Sequence, residues 1–524
     1  MEAEPEDSRA EMRLLETPLP VEDEDVEEKG FRGIGPFRFA FNLKNFLPGA
    51  DSSLRRFSVV EAALLLMTAY IASRGLGVVR QSIFNALFGT GPEANAFYAA
   101  VRLPDTLFNL IAGGALSQAF IPVFVLYSQQ RMQPGQREAW RLTSLIFNVM
   151  LVTLTIATLI AEFLTPAFVN SLLVPGYPPA EQALTTTLTR IMLIQPLLLG
   201  LSSIATSVLS SKRQFLLPAL SIATYNFGLI GGLCFSLVFA GVGIYGPTYG
   251  TIVAALLQFL IQLPALLKQG FRYSWFWDLR YPGLHQVLRL LVPGALIVVI
   301  SSIALTLDTA FISYFPDSAS LSAVHNADLL FSLPVALFAQ AIGQAALPEL
   351  SLYAASRRYT LLRQMALKVT GAGLLLSVLA VALLCLLGGP TIRIIFQHGA
   401  FDEHSSALTF LALVGYAVGM PGTTMNALLA NTFYALKDAY TPLFVSALLL
   451  AVRVGIILLL LHLLAGDALV LVIPLTASIV ATMSASLLAL ILFPRLHKRI
   501  GSGTKEQAVV AMEKPEEPER KVTG

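Results

Sequence analysis

Among the ionisable side chains inside stretches that are otherwise apolar are Arg74, Arg80, Arg102, Asp105, Asp308 and Asp328. A charge in hydrocarbon costs roughly 2.5–3.5 kcal/mol on insertion scales, so a chain that keeps one there gives it a partner or a wet cavity. Arg74 and Arg80, in "SRGLGVVRQ", lie about 120° apart around a helix axis. One broad helix face presents both. Guanidinium forks match phosphate oxygens through paired hydrogen bonds. The first expectation is an electropositive pocket for an anionic head group, drawn from Arg74, Arg80, Arg102, Asp105 and Asp328. For Arg102 a second reading stands beside it, an internal pair with Asp105 at helical i,i+3 spacing.

Asp308, in "ALTLDTAFI" near Thr306 and Thr309, is the candidate for ion coupling. A carboxylate among hydroxyls can take a proton or a sodium ion; a protonated structural aspartate is the alternative. Arg453 lies inside "LLLAVRVGIILLL", too deep to snorkel to water, and needs a buried partner that the sequence does not name. No Gly-Lys-Ser/Thr phosphate loop, metal-ligand spacing or nucleophile motif occurs, so neither direct ATP drive nor an enzyme is expected. No cofactor is expected either; sodium, protons or the membrane potential are the candidate energy sources.

The elements that must hold these residues are membrane helices. Of 524 residues, 55% are hydrophobic and 13% charged, about half the charge of a soluble domain. Apolar runs between turn signals predict an all-α polytopic membrane protein with twelve spans. Their limits are 58–86, 94–128, 139–166, 182–210, 216–239, 246–268, 284–314, 320–350, 360–387, 405–436, 441–464 and 468–494. Alternate connectors are basic: Arg131/Arg137/Arg141, Lys212/Arg213, Lys268/Arg272/Arg280/Arg289, Arg357/Arg358/Arg363, Lys437 and Arg495/Lys498/Arg499. The facing ones, such as "GTGPEA" and "FPDSAS", carry no Lys or Arg, with Arg393 the one exception. By the positive-inside rule both termini are cytoplasmic.

Residues 1–57 read as a cytoplasmic tail: twelve acidic residues in the first thirty, expected disordered, then a basic, aromatic juxtamembrane segment, Phe31–Phe57. Residues 495–524 read as a second cytoplasmic disordered tail. The tails are candidate contacts for partner proteins, and no nucleic-acid partner is expected. Cys234 and Cys385 lie in separate apolar runs and form no redox or metal spacing.

The chain also repeats. "SQAFIPVFVLY" (Ser117–Tyr127) and "GQAALPELSLY" (Gly343–Tyr353) match at Gln, Ala, Pro, Leu and Tyr with an offset of 226. "SSKRQFLLP" and "ALKDAYTP" match near the same offset, with Lys212 and Lys437 225 apart. This predicts two parallel six-helix bundles, 58–280 and 281–494, around a central cavity, with a site near the midplane. Pro104, Gly113, Gly114, Pro122, Pro334 and Pro348 interrupt the second and eighth spans, which suits bending.

"SRGLGVVRQ", "FGTGPEANAFYAAVRLP", "GALSQAFIPVF", "NADLLFSLPVALFAQAIGQAALPELS" and "FYALKDAYTP" resemble the MurJ family of bacterial lipid II flippases, in the multidrug/oligosaccharidyl-lipid/polysaccharide exporter superfamily. The likeness spans roughly 58–494. It implies a flippase for lipid II or a related polyprenyl-diphosphate-linked glycan, working by alternating access in peptidoglycan biosynthesis at the bacterial inner membrane. Arg74 and Arg80 match the family's cavity arginines. Phe108, Asn109, Gly113, Asn95 and Leu329 stand where the family carries two arginines, a glutamate, an aspartate and another arginine. The family has fourteen spans against the twelve expected here, so a divergent member is implied. The competing readings are an ion-coupled exporter of small amphiphiles and a non-transporting membrane scaffold of envelope synthesis, whose cytoplasmic tails contact cell-envelope synthesis proteins.

Overall fold

The computed structural model describes residues 59–129, 135–212, 214–317 and 319–513; the expected acidic tail and Phe31–Phe57 lie outside them. Every regular element described is helical. The first half comprises α1 (Val59–Phe88), α2 (Pro92–Ala100), α3 (Arg102–Ile111), α4 (Gly114–Gln129), α5 (Gly135–Phe168), α6 (Pro179–Met192), α7 (Gln195–Ser211), α8 (Leu216–Val238), α9 (Tyr245–Leu260) and α10 (Leu263–Lys268). The second comprises α11 (Pro282–Ile312), α12 (Ser320–Val335), α13 (Ile342–Ala355), α14 (Tyr359–Phe396), α15 (Glu403–Val418), α16 (Met420–Ala435), α17 (Tyr440–Leu463) and α18 (Val472–Glu513). Wide turns continue α5 over Val169–Leu173 and join α12 to α13 over Ala336–Ala341.

Eight helical stretches among the described residues are long and apolar enough to cross a membrane, or nine when α15 and α16, bent by 46°, count as one. The chain is a polytopic membrane protein. Several expected single helices are broken, and proline is the common cause because it has no N–H for the carbonyl four residues back. Pro104 cannot bond Ala100, and a new helix begins at Arg102. Pro196 and Pro421, 225 apart, each follow a break, at Leu193–Ile194 and at Gly419. The break at Ala112–Gly113 likewise falls, 226 residues on, within the wide turn Ala336–Ala341.

Two expected limits are corrected. The ninth span does not stop at 387, because α14 runs through Gly388-Gly389-Pro390 to Phe396, with Gly388 packed against Leu413 and Phe410. The last helix continues to Glu513, past residue 495 where a disordered tail was expected; no proline interrupts "RLHKRIGSGTKEQAVVAME". Arg393, the exception in the basic pattern, lies in the last turn of α14 and faces Glu403 at 3.9 Å.

The two ends of the bundle are built differently. At the end whose connectors lack Lys and Arg, one apolar core takes Phe84, Phe97 and Leu173 from the first half with Phe331, Phe396 and Phe401 from the second. Polar bonds cross the same seam. Ala400 N–H donates to Ala86 O at 2.9 Å, Thr90 and Ser405 hydroxyls meet at 2.7 Å, and Gly176 N–H donates to Ser313 Oγ at 2.9 Å. At the basic end there are two separate cores. One gathers Phe120, Phe124, Leu142 and Leu145 with Leu284 and Val287 of α11; the other gathers Leu350, Leu362, Phe433 and Leu492. α11 belongs to both sides, packing on α3 and α4 and also on α17.

Candidate functional site

The wall of the site in the first half is α1. Arg74, Gln81 and Asn85 follow at i, i+7 and i+11, one face of a helix. Arg74 Nη1 donates to Ser332 Oγ of α12 at 3.3 Å, and Gln81 and Asn85 amides donate to Asn326 Oδ1, also of α12, at 2.8 and 3.0 Å. Arg80 points elsewhere, as the 120° spacing requires: its Nη1 donates to Asn226 Oδ1 of α8 at 3.3 Å. Asn226 is itself oriented by donating to Ser73 Oγ at 3.1 Å. No ion pair involves Arg80 among the described residues.

Arg102, Asp308, His325, Asp328 and Tyr416 line one small cavity of about 60 Å³. The Arg102 Nε is buried without a hydrogen-bond partner, and among the described residues its guanidinium forms no ion pair. The expected alternative, an Arg102–Asp105 pair, is not formed. Asp105 instead accepts from Gln195 Nε2 of α7 at 3.4 Å, and the same amide donates to Tyr225 Oη at 3.2 Å. Asp328 is exposed on the cavity side of α12, one turn from Ser332 and hence from Arg74. The expected site residues therefore divide. Arg102, Asp308 and Asp328 converge, with Arg74 adjacent, while Arg80 and Asp105 are held on the first-half side.

Asp308 supplies the partner missing for Arg453. Arg453 Nε donates to Asp308 Oδ1 at 2.8 Å, and its Nη2 donates to Oδ2. The pair joins α11 to α17, with side chains 11% and 9% exposed. With both oxygens engaged by a planar fork, this carboxylate is the counter-ion of Arg453 in the observed state. The sequence reading also missed His325, which stacks on Tyr98 at 4.0 Å, and Tyr416, stacked on Phe331 at 5.2 Å. The Gln81–Asn85–Asn326 cluster was missed as well, although Gln81 and Asn85 recur on the Arg74 face of α1. Nothing in the spacing of His325 or Tyr416 marks them.

A cavity of about 60 Å³ admits only a few waters. It is far too small for a sugar-bearing head group.

A sequence model of the family "Lipid II flippase MurJ" matches residues 84–512. The chain belongs to the MurJ family. The lipid II flippase MurJ of Burkholderia cenocepacia is 30% identical over 390 residues, covering 72% of this chain and 74% of that one. The probable lipid II flippase MurJ of Rhizobium meliloti is 28% identical over 437 residues, covering 82% and 78%. Among solved structures, a lipid II flippase MurJ in an inward closed conformation aligns with a TM-score of 0.69 at 23% identity, over 82% of this chain and 87% of that one. An inward-facing multidrug resistance transporter of the MATE family aligns at 0.66 and 15% identity, over 84% and 99%. The MurJ family consists of transporters; this member is not an enzyme.

At Gly113, where the resemblance places a glutamate, a Cβ would come within 2.7 Å of the Asn109 carbonyl oxygen. The glycine at this one departure is thus built into the local packing.

Proposed function

We propose that this MurJ-family chain carries lipid II across the bacterial inner membrane by alternating access, supplying peptidoglycan precursors, with twelve spans in two parallel six-helix repeats and both termini cytoplasmic. The recurrence of helix breaks at offsets of 225 and 226 supports the repeat. The basic connectors support the orientation, which makes the observed state closed on the periplasmic side. Arg74, Arg80 and Arg102 receive the diphosphate, Asp105 and Asp328 set the arginine orientations or accept from the sugar, and Asp308 serves chiefly as the counter-ion of Arg453.

The carrying observation is Arg102: a guanidinium turned into a shared cavity, its Nε buried and unpartnered. A cation in that condition is costly unless another state of the cycle gives it an anion. The neutral Asn226 on Arg80 fits the same logic, because a diphosphate competes easily with one amide oxygen.

The test is complementation of conditional lipid II flippase depletion by wild type, by the Arg74→Ala/Arg80→Ala double variant and by Arg102→Lys. The double variant is expected to reach the membrane at wild-type level and fail to support growth. The lysine is expected to be partly active, retaining the charge but not the fork. Growth with the double variant would overturn the head-group reading.

A further inference from the structure

Far from the central cavity, the basic end of the first half holds a second and larger pocket, of about 840 Å³. Its walls are the first turns of α5 and the extended segment 270–278 that follows α10. Arg137, Arg141 and Arg272 line it together with Trp140, Tyr273 and Trp275. The segment is pinned to one face of α5. Ser274 N–H donates to Ser144 Oγ at 3.2 Å, Asn148 Nδ2 donates to Phe276 O at 3.1 Å, and Tyr273 Oη donates to Asn148 Oδ1 at 2.7 Å. Trp140 packs edge-on against Phe271.

The charges do not cancel. Glu138 is occupied by Arg141 Nη1 at 2.7 Å and by Tyr281 Oη at 3.0 Å, and Asp278 accepts the Arg280 backbone N–H at 2.9 Å. Arg137 and Arg272 form no hydrogen bond or ion pair among the described residues. Arg137 also sits in the first turn of α5, where the helix dipole disfavours a cation and favours an anion. One bound anion would satisfy the dipole and the two unpaired guanidinium groups of Arg137 and Arg272. The positive-inside rule accounts for basic residues at this end, but it requires neither a walled pocket nor a hydrogen-bonded aromatic segment.

We propose that this pocket binds the phosphate of an anionic phospholipid from the surrounding leaflet. A free phosphate shares the chemistry, but the surroundings favour lipid. Trp275 is 79% exposed and Trp277 44%, as aromatic side chains are at a membrane interface. The segment leads directly into α11, whose Leu288, Leu290, Val292 and Leu296 are exposed along an apolar helix.

The chain has three tryptophans, Trp140, Trp275 and Trp277, and all lie at or beside this pocket, so intrinsic emission of the full-length protein reports on it. The experiment measures quenching in phosphatidylcholine vesicles doped with dibrominated phosphatidylglycerol or dibrominated phosphatidylcholine. With about a tenfold gain expected from several arginines near an anionic lipid, brominated phosphatidylglycerol should half-saturate at roughly one-tenth the mole fraction. The preference should disappear in Arg137→Gln/Arg272→Gln, and the exposed single variant Arg272→Gln, which perturbs no described bond, should weaken it. Equal quenching by both lipids in the wild type overturns the proposal. So does a preference that survives the double variant, which would be general surface attraction. An emission change of the same size from inorganic phosphate in pure phosphatidylcholine vesicles overturns the lipid assignment in favour of a soluble anion. None of these readouts depends on lipid II transport.

Discussion

The two ends of the bundle spend their polar atoms differently. At the Lys/Arg-poor end, amides, hydroxyls and backbone groups from the two halves bond to each other over a shared core. At the basic end the halves keep separate cores, and Arg137 and Arg272 face a pocket instead of partners. Neutral hydrogen bonds of about 1 kcal/mol each make a seam that can form and dissolve. The unpaired charges of Arg102, Arg137 and Arg272 are where the proposed anions would bind. A transporter needs both: a reversible lock on one side and an unsatisfied charge behind it.

Welding the seam gives the largest expected effect. The Thr90 and Ser405 hydroxyls are 2.7 Å apart, so Thr90→Cys with Ser405→Cys, made after replacing Cys234 and Cys385, should form a disulfide. Oxidation is expected to abolish lipid II translocation, and reductant to restore it; full activity of the oxidised protein would mean that the seam never opens. Next in size is the buried pair. Asp308→Ala leaves Arg453 buried without its counter-ion and is expected to cost about 3–5 kcal/mol, read as a lower thermal midpoint in detergent. Asp308→Leu with Arg453→Met should recover most of that loss, since replacing both charges removes the stranded one.

Asn326→Leu sharpens the contrast more gently. It removes the acceptor shared by Gln81 and Asn85 and should cost about 1–3 kcal/mol for the stranded donors. Loosening the seam should also raise alkylation of a cysteine placed at Ser322, while a cysteine at the basic end should not respond. The smallest effect is at the helix cap. Asp402 accepts from Ser405 N–H at 2.8 Å and from its hydroxyl at 2.6 Å, and these bonds hold its carboxyl below the usual range. A depressed carboxylate stabilises above its unfolded pKa and loses that contribution as pH falls through the folded value. Asp402→Ala should therefore cost about 1 kcal/mol near neutrality, with the difference from wild type shrinking on acidification below about pH 4. A pH-independent difference would point to packing.

Most helix limits were legible because apolar runs punctuated by glycine, proline and charge leave little choice in a membrane. Arg74, Arg80 and Arg102 stood out for the same reason. The breaks at Leu193 and Gly419 were less visible, since a proline in an apolar run reads equally as a kink or as a first-turn residue until its neighbours are placed. The Arg453–Asp308 pair was not legible at all. Its members are 145 residues apart, and each alone announces only that some partner exists. Likewise "FRYSWFWDLR" read as one more basic connector, because nothing in it reveals that Ser144 and Asn148 would hold it as a wall.

α11 carries one further consequence. Its basic end is seated among first-half side chains through Leu284 and Val287, and toward its other end Asp308 is clasped by α17. It works as a connecting rod: no swing of one bundle leaves both of its bearings untouched. Either the rod flexes, with Pro293 and Gly294 near its middle, or one bearing slips. On the proposed alternating-access cycle, the stroke is limited by how far that single helix bends or how far a bearing gives way.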